Sequence, residues 1–97
     1  MESTNPVALL VFLEEDLAFH DHRTEEERRA ILLAGLQWES PYWVDLAVRW
    51  VEQGYELDQE LSRELQRISK DKRFPQNLRH RAGKLAHRFE QAQGEAT

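Results

Sequence analysis

Three prolines, at positions 6, 41 and 75, constrain most strongly what this chain can fold into. Each precedes a segment with apolar residues at helical spacing, and the first turn of a helix tolerates proline because the missing N–H would have no partner there. No segment alternates polar and apolar residues over a length that would suit a strand. The sequence therefore predicts an all-α protein without a sheet.

Capping residues divide the chain into five predicted helices. Short polar side chains accept backbone N–H groups where helices begin, and four such residues stand at predicted starts: Asn5, Thr24, Ser40 and Asp58. Glu27 completes a capping box with Thr24, and Gly54 suits the left-handed position that ends a helix. The predicted helices run over about 6–20, 25–38, 41–53, 59–71 and 75–92, and the tail 93–97 is expected to fray.

The spacing of the prolines, 35 and then 34 residues, favours helical hairpins of similar register. The segment FPQNLRHRAGKLAHRF (74–89) resembles the second helix of a HEAT-type repeat, and this resemblance implies antiparallel helix pairs. A chain of 97 residues has the length of one domain. We therefore expect residues 1–97 to form a single compact bundle of about five helices built from antiparallel pairs.

The aromatic segment SPYWVDLAVRW (40–50) is either a core or an exposed platform for a ligand. At helical spacing Trp43, Ala47 and Trp50 form a line beside three valines, so we interpret both tryptophans as core residues, because burying an indole removes a large apolar area from water. Tyr42 and Leu46 lie on the polar side of the same helix. We therefore predict that these two residues are exposed and contact a partner.

The first predicted helix is apolar on two sides, which indicates either a central position or a partner outside the chain. Phe12 and Phe19 lie on its second apolar side. The predicted partner-binding residues are therefore Phe12, Phe19, Tyr42 and Leu46, and the partner is another protein or a second copy of this chain. Acidic residues between 14 and 27 would favour a basic partner.

Charge is distributed unevenly along the chain. Residues 1–62 contain 14 Asp and Glu but 4 Arg and Lys, whereas residues 63–97 contain 4 acidic and 9 basic residues. Basic side chains on one surface can contact phosphates, which predicts a nucleic-acid patch on the fourth and fifth helices. Its members are Arg63, Arg67, Lys70, Lys72, Arg73, Arg81, Lys84 and Arg88. If the two helices form a hairpin, Arg79, Asn77, His80 and His87 could join this patch. The alternative is an ordinary solvated surface whose bases pair with nearby acids.

Motifs for catalysis or metal binding are not evident. The absence of cysteine excludes disulfides, iron–sulfur clusters and thiolate catalysis. His20 and His22 are weak metal candidates without a second His or Cys pair to complete a ligand set. His80 and His87 are too far apart on a helix for one ion, and we interpret them as solvated. We expect no cofactor and no catalytic site.

No stretch of the sequence is long and apolar enough for a membrane-spanning helix, and the start lacks the features of a signal peptide. These observations lead us to expect a soluble, cytoplasmic protein without membrane contact. The leading hypothesis is a small non-catalytic protein–protein interaction or regulatory module that could form a homodimer. The alternative hypothesis is a nucleic-acid-binding domain that uses the basic fourth and fifth helices.

Overall fold

A computed structural model describes residues 6–95, and all regular secondary structure in that range is helical. The five α-helices are α1 (Pro6–Leu10), α2 (Glu25–Leu36), α3 (Pro41–Glu52), α4 (Gln59–Lys70) and α5 (Gln76–Glu95). Two short 3-10 helices, Val11–Glu14 and Leu17–His20, lie between α1 and α2. The all-α prediction is confirmed. None of the helices in residues 6–95 combines the length and the apolar character needed to cross a membrane.

The contacts between residues divide the chain into two compact units. The first unit ends at Tyr55 and contains α1, α2, α3 and both 3-10 helices, while the second unit begins at Glu56 and contains α4 and α5. The single domain expected over residues 1–97 stays a prediction. The predicted antiparallel pairing is found within each unit, in α2 with α3 and in α4 with α5.

The continuous helix predicted over 6–20 is wrong, because the backbone is extended at Glu15 and Asp16. Residues near the end of α3 bind the backbone there. The indole N–H of Trp50 donates to the Glu15 carbonyl at 2.9 Å, and the Leu17 N–H donates to the side-chain oxygen of Gln53 at 2.8 Å. These long-range hydrogen bonds replace those that a continuous helix would make. Of the four predicted caps, Asn5 lies outside the described residues.

The other predicted caps are present, with one difference. Thr24 and Glu27 form the expected capping box. The Glu27 N–H donates to the Thr24 side chain at 3.1 Å, and the Thr24 N–H donates to the Glu27 side chain at 3.0 Å. The Asp58 side chain accepts from the first turn of α4 at 2.9 Å. Gly54, with φ at 118°, takes the left-handed conformation that favours glycine. Ser40 precedes α3 without making a side-chain hydrogen bond.

The first unit is built around the close approach of α2 to α3 at Gly35. A Cβ atom on Gly35 would lie 2.5 Å from Leu13 Cδ1 and 2.9 Å from the Cβ of Ala47. Trp50 is 1% exposed, so the core interpretation is confirmed for that ring, whereas Trp43 is half-buried. The principal buried side chains beside this contact are Leu10, Leu13, Ile31, Leu32, Leu36, Val44, Val48 and Trp50.

A second link between the ends of α2 and α3 is a hydrogen bond from the Tyr55 hydroxyl to a Glu25 carboxylate oxygen at 2.6 Å. Burial and this carboxylate together hold the pKa of the Tyr55 phenol well above its ordinary range. The same hydrogen bond lowers the pKa of Glu25. The pair therefore stays as a neutral phenol beside a carboxylate across the neutral pH range.

The second unit is an antiparallel hairpin of α4 and α5. Ser69 lies opposite Gly83, and the Gln66 side chain donates to the Glu90 carboxylate about one turn earlier on α4 and two turns later on α5. The turn between the helices is held by Asp71, which accepts from the Arg73 backbone at 3.0 Å and from its guanidinium at 2.7 Å. The buried apolar side chains of this unit are Leu61, Leu65, Ile68, Phe74, Leu78, Ala82, Leu85 and Ala86.

Two glycines in helices should respond to alanine in opposite directions. We expect Gly35→Ala to lower the free energy of unfolding by about 1–3 kcal/mol, because a methyl group against the backbone-fixed Ala47 overpacks the core. Gly83→Ala should raise it by up to about 1 kcal/mol, since its new Cβ would meet Ser69 at 3.4 Å and alanine favours the helix. Urea unfolding measures both, and equal stability of the two variants would contradict the packing at Gly35.

Asp71 should make stability depend on pH in the acid range. Its hydrogen bonds from Arg73 lower the pKa of the carboxyl from its usual 3.8 to about 2, so the folded state favours the ionised form. The stabilisation is therefore present above about pH 4 and is lost as the pH falls toward 2. We expect Asp71→Asn to be less stable than the native chain at neutral pH, with the difference shrinking through that window.

Urea unfolding at pH values across this window, with Glu39→Gln as the control for loss of an exposed carboxylate, measures the effect. If the difference in free energy of unfolding between the native chain and Asp71→Asn stays constant with pH, the charge of the carboxylate contributes nothing to stability.

Candidate anion-binding groove

An open groove of about 480 Å³ lies along one side of α5, with Ser69 of α4 at its edge. Arginine, lysine and histidine side chains dominate its lining, and among residues 6–95 no carboxylate contributes to it. The lining side chains are Ser69, Gln76, Arg79, His80, Lys84 and His87, and Gly83 completes the wall. A concave surface with these donors and this charge suits an anion.

Helical spacing explains why these residues share one surface. Positions three, four and seven residues apart lie on the same side of a helix, and Gln76, His80, Gly83 and His87 follow that spacing. Gly83 has no side chain, so the space in front of Ser69 stays open where α4 and α5 approach each other. The groove thus depends on a glycine at the point where the two helices meet.

The cationic side chains of the groove differ in how firmly they are held. Arg79 is half-buried, and its Nε donates to the Phe74 carbonyl at 3.1 Å, which fixes the guanidinium at the start of α5. His80, Lys84 and His87 are exposed, and no ion pair within residues 6–95 engages them. The Lys84 charge and the N–H donors of all three side chains therefore remain available to a ligand.

The groove includes only part of the predicted basic patch. Lys84 lines the groove, whereas Arg67 forms an ion pair with Glu64 at 2.9 Å and Arg73 one with Asp71 at 2.7 Å. The other predicted members lie outside the lining: Arg63, Lys70, Lys72, Arg81 and Arg88. At 100° per residue, Arg81 and Arg88 lie on the opposite side of α5 from Gly83.

Sequence reasoning named part of the groove. Arg79, His80 and His87 were residues that could join the predicted patch, and all three line the groove, whereas Ser69, Gln76 and Gly83 were not named for it. The helical spacing of these residues around Gly83 was the available signal. This spacing assigns each basic residue to one side of α5, whereas a count of basic residues along the chain does not distinguish the two sides.

Two of the four predicted partner-binding residues are strongly exposed. The side chain of Phe19 is 66% exposed and that of Tyr42 is 55% exposed. Tyr42 packs edge-on against Trp43 at a ring-centroid distance of 4.8 Å, and its hydroxyl donates to Glu14 at 2.7 Å. This hydrogen bond raises the pKa of Tyr42. The tyrosine therefore presents an ordered ring to solvent.

The other two predicted partner-binding residues are partly covered by the first unit itself. Phe12 is half-buried, with the Arg23 guanidinium 4.2 Å from its ring centroid. Leu46 is also half-buried. Val11, which was not predicted, is 51% exposed and is the third large exposed apolar residue in the described part of the chain. The structure places Phe19, Tyr42 and Val11 in the first unit.

His20 is a buried packing residue. Arg23 Nε donates to its Nδ1 at 3.0 Å, and since a guanidinium can only donate, Nδ1 must be the acceptor. The proton is therefore on Nε2, which lies 3.0 Å from the Phe12 carbonyl and 3.3 Å from a Glu15 carboxylate oxygen. The ring also packs against Trp50 at a centroid distance of 5.1 Å.

This arrangement leaves His20 without a free nitrogen for a metal. His22 is exposed beside it, with the two ring centroids 6.3 Å apart. Within residues 6–95, no group of three or more His, Cys, Asp or Glu side chains is placed to hold a metal ion. The two histidines are thus separated in role, one in the core and one in solvent.

No protein-family model matches the chain, and no curated protein or solved structure matches it. The comparisons therefore assign neither a family nor a ligand. The residues that line the groove, and the chemistry they offer, are the basis on which a ligand class can be assigned.

Proposed function

We propose that the protein is a small non-catalytic binding module whose groove on α5 contacts the phosphate groups of a nucleic acid. The supporting observation is that Arg79, His80, Lys84 and His87 line one groove to which no carboxylate of the described residues contributes. Basic groups that bind a polyanion release its condensed counterions, and this release drives association. The sequence predicted a nucleic-acid function for the C-terminal part of the chain. The proposal assigns this function to the basic residues that line the groove.

The lining favours contact with the phosphate backbone over contact with bases. In the part of the chain that the structure describes, imidazoles are the only aromatic rings that line the groove, and large aromatic side chains are what single-strand binding proteins use to stack bases. Phosphate contacts position a protein without reading the sequence. The expected ligand is therefore a duplex of any sequence, bound with an affinity that falls steeply as salt increases.

A second candidate function belongs to the first unit. The large exposed apolar side chains of the described residues, Val11, Phe19 and Tyr42, are all there. Exposed apolar groups near acidic residues such as Glu14 and Asp16 suit a protein partner with basic residues around an apolar centre. We propose on this basis that the first unit binds another protein or a second copy of the chain.

Reversing the charge of Lys84 should weaken nucleic-acid binding more than the same change elsewhere in the second unit. We expect Lys84→Glu to lower the affinity for a short random-sequence duplex about tenfold or more at roughly 50 mM salt. It should also reduce the slope of log K against log salt by about one. Fluorescence anisotropy at several salt concentrations measures both quantities. The matched control is Arg63→Glu, which changes the same charge on α4 outside the groove.

An equal loss in the two variants would mean that net charge, and not the groove, determines binding. A native chain that fails to bind any duplex at low salt would reject the function itself. Circular dichroism of each variant, compared with the native chain, shows whether the helices are intact when affinity is measured.

Self-association through the first unit should depend on its exposed rings. If the partner is a second copy, solution mass by light scattering should increase with protein concentration and persist in high salt, because apolar burial is not screened by ions. Phe19→Ser combined with Tyr42→Ser should restore the monomer. Tyr42→Phe keeps the ring and loses only the hydroxyl, so it should keep the native mass. A native monomer at every concentration would leave a different protein as the partner.

A further inference from the structure

We propose that the groove takes up protons when it binds phosphate, through His80 and His87, so that its affinity rises as the pH falls. This inference rests on the proposed phosphate-binding function and adds a regulation of the same site. Both histidines line the groove and both are exposed. Histidine is the side chain whose charge changes between about pH 8 and pH 5.5.

The spacing of the two imidazoles allows them to meet different phosphates of one ligand. Seven residues separate them on α5, which corresponds to about 10 Å along the helix axis, and Lys84 lies between them. A neutral imidazole offers one N–H donor, whereas a protonated one offers two donors and a positive charge. Each protonation therefore converts a weak phosphate contact into a charge-assisted hydrogen bond.

The surroundings leave the ligand as the main anion that a protonated imidazole can face in the groove. From α4, Ser69 faces the groove, and its hydroxyl donates to the Gln66 carbonyl at 2.7 Å, so α4 contributes no charge there. From α5, Arg79 and Lys84 contribute permanent positive charges. Over residues 6–95, the lining contains no carboxylate.

Glu90 is the acidic residue that follows His87 by about one turn of α5. Its carboxylate accepts from the Gln66 amide of α4 and does not contribute to the lining of the groove. Proton uptake at His87 in the complex would therefore be coupled mainly to the bound phosphate, with Glu90 as a weaker neighbour.

The remaining histidines of the chain allow the effect to be located. His20 is buried and both of its ring nitrogens are engaged. His22 is exposed, belongs to the first unit and does not line the groove. Replacing His22 therefore removes an exposed imidazole outside the groove, and we expect the pH dependence of binding to stay unchanged.

The coupling between proton binding and phosphate binding determines how the affinity should change with pH. If protonation strengthens phosphate binding, then phosphate binding must favour protonation by the same factor. Two additional cationic contacts should make the slope of log K against log salt steeper by about two at the lower pH. The affinity at constant salt should increase on the order of tenfold between about pH 8 and pH 5.5.

The experiment uses the intact chain and a short random-sequence duplex, with anisotropy recorded at both pH values over a range of salt concentrations. We expect His80→Gln combined with His87→Gln to lose the increase in affinity between the higher and the lower pH, so that the ratio of its affinities at the two pH values falls close to one. His22→Gln should keep the full increase. A double variant that retains the increase would overturn the inference.

The outcomes separate this inference from the proposed function. Native binding at the higher pH that is weakened by Lys84→Glu supports the function whatever the histidines do. A folded double variant that binds at neither pH would also overturn the inference, because the two side chains would then be required for binding whatever the pH. Absence of native binding at both pH values would reject the function and the inference together.

Discussion

The fold of the first unit depends on the hydrogen-bond acceptor of the Trp50 indole N–H. The ring is buried against the His20 imidazole, and its N–H donates to the Glu15 carbonyl at 2.9 Å. A buried N–H without an acceptor would cost about 1–3 kcal/mol. A carbonyl inside a continuous helix would already accept from its own turn, so the interruption at Glu15 supplies the free acceptor. The path of the chain from Val11 to His20 follows from burying this ring.

The second unit shows how local pairing determines which charges remain available. Arg67 has Glu64 three residues earlier on α4, and Arg73 has Asp71 two residues earlier in the turn, and both bases form ion pairs. Lys84 has only basic or neutral residues at its helical neighbour positions. A basic side chain therefore stays open to a ligand where the sequence places no acid within a turn of it.

The features that sequence analysis predicted correctly are local ones. The Thr24–Glu27 capping box and the Asp58 cap involve residues three apart or fewer, so their geometry is encoded in a short stretch. The break at Glu15 was not predictable in this way, because its causes, Trp50 and Gln53, are more than thirty residues distant in sequence.

The candidate site was predictable only in part, for a related reason. Counting basic residues identified the two helices that line the groove, but charge totals contain no direction around a helix axis. Lys84 and Arg88 are close in sequence, yet only Lys84 lines the groove. The missing information was the position of Gly83 opposite Ser69, which depends on how α4 and α5 pair.

Gly83 has a consequence for how this protein could change under selection. A glycine inside a helix is less favourable than alanine, so its presence lowers the stability of α5. A side chain at the same position would project toward Ser69 and occupy part of the groove wall. Selection for thermal resistance alone would thus tend to fill the position and make the groove shallower. If the groove binds a ligand, a side chain at position 83 would favour stability, whereas glycine would favour binding.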